Sequence, residues 1–390
     1  MLTKNIKFEN FSGKKNIKLE KTFKKSLNYA ELLKNYPLLN SLTKQYKYSY
    51  QKKEIKSLKK YSNINLVGMG GSTLGAEAIY DFLKHKVKKK FFFFNNLQSR
   101  KINKNNKKNI NLVVSKSGNT LETISNLNLL LQKQNKNKNI FICEKKNNFL
   151  FLLAKKLKAE IFEHKNYIGG RYSVLSEVGM LPAELMGLNE KKFKRFNYLI
   201  KNKIFIKSLI NNVLLIYNFI KKGKRNSIIL NYDEKSENLF KWYQQLTAES
   251  LGKKSNGILP VISTMPKDNH SLLQLYLDGP KNNFYTFFNV KDKNSPNFYN
   301  SKLFDKYPII KNKNLYKVLN SQKKATENVF RRSRIPFRSF EIVNRNEETL
   351  GELFCFFILE TILLGKLLKV NPFDQPSVEL IKDETKKILI

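Results

Sequence analysis

Two turns in the sequence carry residue types that suit the binding of a small anion. Residues 68–75 read Gly-Met-Gly-Gly-Ser-Thr-Leu-Gly, and residues 115–123 read Ser-Lys-Ser-Gly-Asn-Thr-Leu-Glu-Thr. Glycines allow backbone N–H groups to approach an anion closely, and hydroxyls with helix N-terminal amides supply the donors that a phosphate needs. For the second turn alone, an ordinary strand-to-helix turn with Asn119 and Glu122 as a capping box is an equally good interpretation. The two turns together favour a phosphate site.

The kind of phosphate compound can be narrowed from what the turns lack. Thr73 stands where a dinucleotide-binding fingerprint requires its third glycine, and neither turn continues into the Gly-Lys-Ser/Thr of a P-loop. A sugar phosphate therefore fits better than a nucleotide. The candidate phosphate ligands are Gly71, Ser72, Ser115, Lys116, Ser117 and Thr120.

The elements that must position these turns form an α/β pattern. Short apolar runs bounded by turn residues alternate with longer helical patterns, which is typical of parallel sheets covered by helices. In such sheets a ligand binds beyond the carboxyl ends of the strands, where both turns lie. The predicted strands are Ile64–Val67, Lys90–Asn95, Ile110–Val114 and Ile140–Cys143 in a first series, and Ser227–Asn231, Leu259–Ser263, Phe284–Phe288 and Ser339–Ile342 in a second.

Length and pattern together predict two domains. A chain of 390 residues, 41% of them hydrophobic, can form two substantial cores. The predicted units are an irregular or helical lead-in over 1–45, a first domain over 46–190, a second over 191–345, and C-terminal helices over 346–390, from about Glu347 to Val370 and from Pro376 to Leu389.

The net charge of +42 would by itself suggest a nucleic-acid-binding protein. Lys and Asn are scattered along the whole chain together with Ile and Phe, however, which indicates an A/T-rich coding sequence more than one basic face. The local runs at 86–90 and 101–108 lack the interleaved aromatic residues that stack on bases. We expect no specific nucleic-acid partner and a positive field that attracts small phosphorylated anions.

The composition also predicts a soluble, cytoplasmic protein. The longest apolar run, Leu350–Leu368, is interrupted by three charged residues, so we expect no membrane partner. The N-terminus lacks the apolar stretch of a secretory signal. The two cysteines, Cys143 and Cys355, lie inside apolar runs, which suits buried thiols in a reducing compartment.

Four further blocks follow in the chain. They are Asn-Tyr-Ile-Gly-Gly-Arg-Tyr-Ser at 166–173, Gln-Leu-Thr-Ala-Glu-Ser at 245–250, Asp-Asn-His-Ser-Leu-Leu-Gln at 268–274, and Phe-Asp-Gln-Pro-Ser-Val-Glu-Leu-Ile-Lys at 373–382. With the two turns, these blocks resemble the sequence motifs of the phosphoglucose isomerase family, and they follow one another in the same order as in that family. Two positions depart from its signatures, since Ser377 stands where glycine is usual and Glu177 replaces a small residue. The resemblance implies two Rossmann-like sugar isomerase (SIS) domains.

The resemblance also implies a reaction, the interconversion of glucose 6-phosphate and fructose 6-phosphate through an enediol, with neither cofactor nor metal. Such an isomerisation moves a proton between neighbouring carbons, which requires one base that reaches both and a cation beside the enediolate oxygens. The implied site residues are Glu249 as base, Arg171 as cation, His270 and Lys382 for opening the sugar ring, and Gln245 and Gln375 as substrate contacts.

Each of these residues has a plainer interpretation when it is considered alone. Glu249 would be a solvated helix carboxylate, Arg171 a surface or ion-pairing arginine, and His270 a capping or packing residue. Gln245 precedes Glu249 by one helical turn, so both side chains should lie on the same helix face.

The family is dimeric, and the resemblance implies that His270 completes the site of the neighbouring subunit. In the sequence His270 follows Glu249 by only 21 residues, yet it lies past the predicted strand Leu259–Ser263. We therefore expect a homodimer with shared active sites that binds a sugar phosphate.

Three alternatives to this function remain open at this point. A dual-specificity isomerase would also accept mannose 6-phosphate. A non-catalytic sugar-phosphate sensor on the same fold could lose the four implied catalytic residues, all of which are present. A basic nucleic-acid-binding protein is the third, and it would show strongly salt-dependent binding.

Overall fold

The structure of the chain is a computed structural model that describes residues 1–13, 23, 28–98, 109–133, 137–300, 302–304 and 306–390. In these residues, ten strands form two five-stranded sheets. The lysine-rich run at 101–108 lies outside the described residues. The arrangement confirms the α/β class, with parallel strands flanked by helices.

The first sheet is parallel throughout, in the order β3–β2–β4–β5–β6. Its central strands are buried at every position because helices cover both faces. Their buried asparagines bond to one another across the sheet, with Asn65 Nδ2 donating to Asn111 Oδ1 and Asn111 Nδ2 to Asn139 Oδ1, both at 2.9 Å. The strands are β2 (Asn63–Val67), β3 (Lys90–Phe94), β4 (Ile110–Val114), β5 (Lys138–Cys143) and β6 (Glu160–Glu163).

The second sheet has the order β1–β10–β9–β7–β8. Four strands are parallel, and β1 pairs antiparallel with β10, with Ile6 opposite Ile342. The strands are β1 (Ile6–Glu9), β7 (Asn226–Asn231), β8 (Leu259–Thr264), β9 (Asn283–Val290) and β10 (Phe337–Ile342).

Helices fill the connections between strands. In the first half of the chain they are α1 (Tyr29–Asn35), α2 (Lys52–Leu58), α3 (Leu74–Phe82), α4 (Leu121–Lys133), α5 (Phe149–Lys156), α6 (Glu177–Leu185) and α7 (Glu190–Phe193). In the second half they are α8 (Phe196–Lys201), α9 (Lys203–Lys221), α10 (Glu237–Leu251), α11 (Leu273–Asp278), α12 (Leu315–Arg332), α13 (Glu347–Leu368) and α14 (Pro376–Leu389).

All eight predicted strands are present, with ends within two residues of the predicted ones. Two strands were not predicted, β1 and β6, and each lies at an edge of its sheet. The segment expected to be an irregular or helical lead-in thus contributes a strand to the second sheet. The domain boundaries at 45, 190 and 345 stay predictions.

One helix among the described residues, α9, is long and apolar enough to cross a membrane by length and composition. Of the apolar 18-residue stretch of this helix, 56% is buried inside the fold, and the helix packs against α13. This burial is typical of a core helix.

The helix α10 connects the two halves of the molecule. It runs antiparallel to α3, since Asn238 Nδ2 donates to Asp81 Oδ2 (2.5 Å) at one end and the Gln245 side chain lies against Gly70 at the other. The second half of α10 therefore reaches the carboxyl edge of the first sheet.

A buried ion pair fixes α10 against the second half of the molecule. Arg338 on β10 pairs with Glu360 on α13, and both side chains are almost fully buried. The Tyr243 hydroxyl of α10 donates to Glu360 Oε1 (2.9 Å), and Arg338 Nε donates to Thr286 Oγ1 (2.9 Å). Because buried charges are stable only when paired and hydrogen-bonded, this network defines one position for α10.

Candidate active site

The first predicted phosphate turn follows β2 and forms a short 3₁₀ helix, Gly70–Ser72. A Cβ atom on Gly71 would lie 2.2 Å from the backbone carbon of Gly170, so only glycine allows this approach. Gly70 has φ +52°, a left-handed conformation, and lies under the Gln245 amide. The glycines thus bring the turn against both the Arg171 segment and α10.

The second predicted turn follows β4, and its hydroxyls are arranged around the first turn of α4. Ser115 Oγ and Thr120 Oγ1 are 2.8 Å apart, and the backbone N–H of Gly118 donates to Ser115 Oγ (3.2 Å). The Ser117 hydroxyl accepts from the backbone N–H of Asn119 (3.3 Å). Lys116 Nζ donates to the Asn166 carbonyl (2.7 Å), which joins this turn to the segment before Arg171.

The two turns lie side by side because β2 and β4 are neighbours in the sheet. The chain passes from β2 to β3 on one side and then returns to β4 on the other, so the crevice between β2 and β4 is the topological switch point. Ligands of open α/β sheets bind at this position. The predicted phosphate ligands therefore share one crevice.

Arg171 is the best-connected side chain of the site. Its side chain is 2% exposed, and its guanidinium donates to Ser250 Oγ (2.8 Å), Glu249 Oε1 (3.0 Å) and Gln375 Oε1 (2.8 Å). Two backbone carbonyls, Pro372 (2.7 Å) and Asp374 (3.0 Å), accept from Nη2. The five bonds join the 3₁₀ helix Gly170–Leu175, α10 and the segment before α14 around one cation.

Glu249 and Gln245 lie on one face of α10, as predicted. Gln245 Nε2 donates to Glu249 Oε2 (2.9 Å), while Glu249 Oε1 accepts from Arg171. Gln245 Oε1 is buried and has no partner in the described part of the chain. An unpaired buried acceptor costs about 1–3 kcal/mol, so a ligand hydroxyl that donates to it would relieve this cost.

Burial changes the pKa values of two ionisable groups near these residues. Desolvation, with the charges of Lys146 and Arg171, lowers the pKa of Lys116 below its usual value against the opposing effect of Glu144. Burial raises the pKa of Tyr172 to about 12, so this hydroxyl keeps its proton and donates to the Pro372 carbonyl (3.1 Å).

His270 is far from this cluster within one chain. It is exposed and ends the 3₁₀ turn Lys267–His270 beyond the carboxyl end of β8. Glu249 lies towards the opposite end of that strand, since Gln244 Nε2 on the preceding helical turn donates to the carbonyl of Pro260 (2.7 Å). A strand of this length spans about 20 Å. The structure therefore does not bring His270 to Arg171 in the same subunit.

Lys382 is also separate from the cluster. It lies on α14 with its side chain 56% exposed, and its Nζ pairs with Glu379 of the same helix (2.7 Å). Gln375, directly before α14, contacts Arg171, but Lys382 is about 10 Å further along the helix axis. Ser377, the departure from the family signature, is exposed on the first turn of α14.

Several contact residues were not predicted from the sequence. Ser250 bonds to both Arg171 and the Tyr172 hydroxyl, and Lys253 pairs with Asp374 (2.9 Å). Ser250 follows Glu249 directly and could have been inferred from the block at 245–250. The carbonyls of Pro372 and Asp374 carry no sequence signal, because every residue has one.

No group of three or more His, Cys, Asp or Glu side chains that could hold a metal ion occurs among the residues that the structure describes. The absence of a metal and of a cofactor stays a prediction. The cluster contains instead one carboxylate, one buried guanidinium, two amides and hydroxyl-rich turns. These groups can bind a phosphorylated, hydroxyl-rich molecule and move a proton on it.

Comparisons with known proteins identify the family of this chain. The family model of phosphoglucose isomerase matches residues 39–263. The glucose-6-phosphate isomerase of Methanocaldococcus jannaschii is 32% identical, covering 85% of this chain and 84% of the relative. A hypothetical protein from Thermus thermophilus has a similar fold, with a TM-score of 0.82 at 22% identity over 95% of each chain. A glucose-6-phosphate isomerase from Chlamydia trachomatis has a TM-score of 0.75 at 17% identity, over 99% of this chain and 89% of that one. The chain belongs to the phosphoglucose isomerase family.

Proposed function

We propose that this protein is a glucose-6-phosphate isomerase, an aldose–ketose isomerase that interconverts D-glucose 6-phosphate and D-fructose 6-phosphate. The observation that carries the proposal is the contact of Arg171 with Glu249 (3.0 Å) beside the two turns at the switch point. Family membership supports the same reaction, since the relative from Methanocaldococcus jannaschii carries this name.

Glu249 is the base in this proposal. Its carboxylate removes the proton from C2 of the open-chain aldose, which leaves an enediolate over C1 and C2. The hydroxyl proton passes from O2 to O1, and the same carboxylate returns its proton to C1, which gives the ketose. Glu249 is partly exposed, with 24% of its side chain accessible, so a ligand can reach it. Arg171 stabilises the negative charge on the enediolate oxygens, and its other bonds preorganise it for this role.

The substrate phosphate binds in the crevice between β2 and β4. The hydroxyls of Ser115, Ser117 and Thr120, the Lys116 ammonium and the backbone of Gly71–Ser72 supply the donors. Gln245 Oε1, which lacks a partner among the described residues, accepts from a sugar hydroxyl, and Gln375 contacts the same end of the substrate through its position beside Arg171.

Ring opening requires a proton transfer between the ring oxygen and the anomeric hydroxyl, and we assign it to His270 and Lys382. His270 comes from a second copy of the chain in this assignment, because its own subunit places it at the opposite end of β8. The carboxylate of Asp268 accepts from Ser263 Oγ and the Thr264 backbone N–H, both at 2.8 Å, so the His270 turn has a defined position from which to project.

A homodimer with shared active sites follows from this assignment. The exposed apolar residues of α14 support it, because none of the described residues of this helix is buried in a single chain. Four of them are Val378, Leu380, Ile381 and Ile388. We propose that α14 packs against the partner chain and that this contact positions Lys382.

We further place the protein in the cytoplasm, without nucleic-acid, membrane or cofactor partners. Cys143 and Cys355 are free and buried, as expected for a reducing compartment. The clustering of functional groups in one crevice, and not along a basic face, supports a small-molecule substrate.

A coupled assay of the purified protein with fructose 6-phosphate tests the function. Formation of glucose 6-phosphate is the expected result, and absence of turnover by a folded, dimeric preparation would contradict the proposal. The same assay with mannose 6-phosphate separates this function from a dual-specificity isomerase. Full activity after exhaustive dialysis against a chelator is the expected result for an enzyme without a metal.

A further inference from the structure

Lys194 is a buried lysine outside the substrate crevice. It follows the short helix α7 and is 3% exposed. A buried ammonium is stable only when its N–H groups and charge are satisfied, so its contacts should be specific.

The Lys194 ammonium joins two segments that are distant in the sequence. Nζ donates to the backbone carbonyls of Ser41 and Leu175. It also lies 4.9 Å from the ring centroids of both Tyr46 and Tyr48, within the range of cation–π attraction. One side chain therefore holds segment 41–48 against the chain at Leu175.

Leu175 ends the 3₁₀ helix Gly170–Leu175, which carries Arg171. The Ser173 hydroxyl in this helix donates to the carbonyl of Gly170 (2.6 Å). A displacement of the end of such a short helix would therefore be transmitted to Arg171, four residues earlier. The bonds of Arg171 to α10 and to the segment 371–375 all depend on the position of this helix.

Glu177 also holds segment 41–49 against the chain beside Leu175. This fully buried carboxylate accepts from the Tyr46 hydroxyl (2.7 Å) and from the backbone N–H of Ser49 (2.8 Å). Leu175 and Glu177 are thus both held by segment 41–49, one through Lys194 and one directly. The departure of Glu177 from the family signature has a structural counterpart in these contacts.

We infer that Lys194 is a positioning residue for Arg171, acting by fixing the carboxyl end of the helix Gly170–Leu175. The inference rests on the proposed function. Lys194 touches neither the phosphate turns nor Glu249 in the described residues, so it acts on the reaction through Arg171. Its removal would leave two buried carbonyls without a donor and allow the helix to shift.

The test compares Lys194→Met with two control variants. Methionine has nearly the length of lysine without its donors or charge. Lys191→Met changes an exposed lysine of the preceding helix α7, and Lys323→Met removes a buried lysine that pairs with Glu327 (2.7 Å) on the distant α12. We expect Lys194→Met to lower kcat about 10- to 100-fold, as a displacement of about 1 Å in an active site can do, with KM changed less than about 3-fold. Both controls should keep kcat.

A double-mutant cycle with Arg171→Ala separates positioning from general destabilisation. If Lys194 acts through Arg171, Lys194→Met should have little further effect on kcat in the Arg171→Ala background. An equal loss in both backgrounds, or an unchanged kcat in the single variant, would overturn the inference. All measurements are made well below the unfolding midpoint of each variant.

Hydrogen exchange supplies a readout that does not depend on activity. Amides 171–176 should exchange faster in Lys194→Met than in Lys323→Met, while those of β2 and β4 stay protected. Unchanged exchange at 171–176 would overturn the inference even if the enzyme is active. A wild-type protein without isomerase activity would instead contradict the proposed function and leave the exchange result to decide the positioning role.

Discussion

The carboxyl edges of the two sheets differ in chemistry although the sheets share an architecture. At the first edge the glycine turn lies against Arg171 and Gln245, and Arg171 contacts Glu249. The hydroxyl turn bonds to the segment before Arg171 through Lys116. At the second edge the segments after the strands and the helix α12 line a cavity of about 1020 Å³ in which Arg345 pairs with Asp233 (2.5 Å). The segments that follow the second-sheet strands there contain no glycine; they are 232–236, 265–270, 291–296 and 343–346.

This difference shows why the first edge holds the proposed site. Without glycine, a backbone rarely offers several N–H groups at once to an anion. The second sheet contributes in two other ways: it supports α10, which carries Glu249, and β8 leads to the His270 turn. Fold repetition therefore does not repeat the chemistry, which depends on the residues after each strand.

The largest effect should come from removing the base. Glu249→Gln keeps the shape of the side chain but not its basicity, so kcat should fall by about two to four orders of magnitude with little change in substrate binding. The measurement is the coupled assay together with calorimetry of a phosphosugar inhibitor.

Glu237→Gln is the matched control for this change. Glu237 lies on the same helix, at the end near the second sheet's carboxyl edge, and pairs on the surface with Lys241 (2.9 Å). Near-normal turnover in Glu249→Gln, or an equal loss in Glu237→Gln, would contradict the assignment of the base.

The next effect tests whether the second-sheet edge of one chain completes the first-sheet edge of another. Glu249→Gln and His270→Leu should each be inactive, but a mixed dimer contains one doubly damaged site and one intact site. Random reassortment makes about half of the dimers mixed, each with one good site in two, so activity should return to about a quarter of the wild-type value. Co-refolding of differentially tagged variants measures this recovery.

A second mixture provides the control. Glu249→Gln with Arg171→Ala changes two residues that share one site, so every mixed dimer has two damaged sites and activity should not return. Absence of recovery with His270→Leu, when mixed dimers are demonstrated by tag purification, would place His270 in its own subunit's site or outside the mechanism.

The third effect concerns the difference in anion binding between the carboxyl edges of the two sheets. Replacing Ser115, Ser117 and Thr120 together by alanine removes donors to the phosphate, and each charge-assisted bond is worth about 1.5–3 kcal/mol. Affinity for a phosphosugar inhibitor should fall at least about 10-fold by calorimetry.

The corresponding control lies at the other edge. Asn294→Ala with Ser295→Ala removes polar groups that line the second-sheet cavity. This variant should bind the inhibitor normally. Unchanged affinity in the triple variant would move the phosphate site away from the β4 turn.

The sequence predicted much of the fold because the central strands are short, largely apolar runs bounded by turn residues. The two strands that it missed, β1 and β6, are edge strands of four residues, two of them charged in each, Ile-Lys-Phe-Glu and Glu-Ile-Phe-Glu. Such short segments with few apolar residues form strands only when a partner strand is available. For β1 this partner, β10, lies more than 300 residues away, beyond the reach of local patterns.

Some features of the candidate site could likewise be predicted from the sequence, and others could not. The glycine and hydroxyl turns were predictable from residue type, as was the pairing of Gln245 with Glu249 from helical spacing. The docking of the segment 371–375 on Arg171 uses backbone carbonyls, which have no sequence signature. His270 and Lys382 do not join the cluster around Arg171 within one chain. His270 lies in the turn after β8, and Lys382 lies on α14, which has no buried residue in the described part of the chain.

The smallest expected effect is a pH dependence of stability that comes from Lys194. Burial lowers the pKa of this ammonium to about 7, against the attraction of Glu177, while an unfolded lysine has a pKa of about 10.4. The charged and titratable groups that face it are Glu177 on α6, Glu190 on α7, Cys355 on α13, Lys165 after β6, and Tyr46 and Tyr48 before α2. A neutral amine keeps two N–H groups, enough for both carbonyls, so this titration should alter stability more than the position of Arg171.

The sign follows from the protons that each state binds. Between about pH 7 and pH 10 the unfolded chain holds a proton on Lys194 that the folded chain lacks, so the free energy of unfolding rises with pH by up to about 1.4 kcal/mol per unit from this group. Urea unfolding of wild type and Lys194→Met at pH 7, 8 and 9 measures this effect. The free energy of unfolding of the wild type minus that of the variant should rise with pH. The same difference between Glu177→Gln and the double variant should begin to rise at lower pH, because the Glu177 carboxylate favours the ammonium. A difference that stays flat across this range, or that falls with pH, would show that Lys194 keeps its proton in the folded protein.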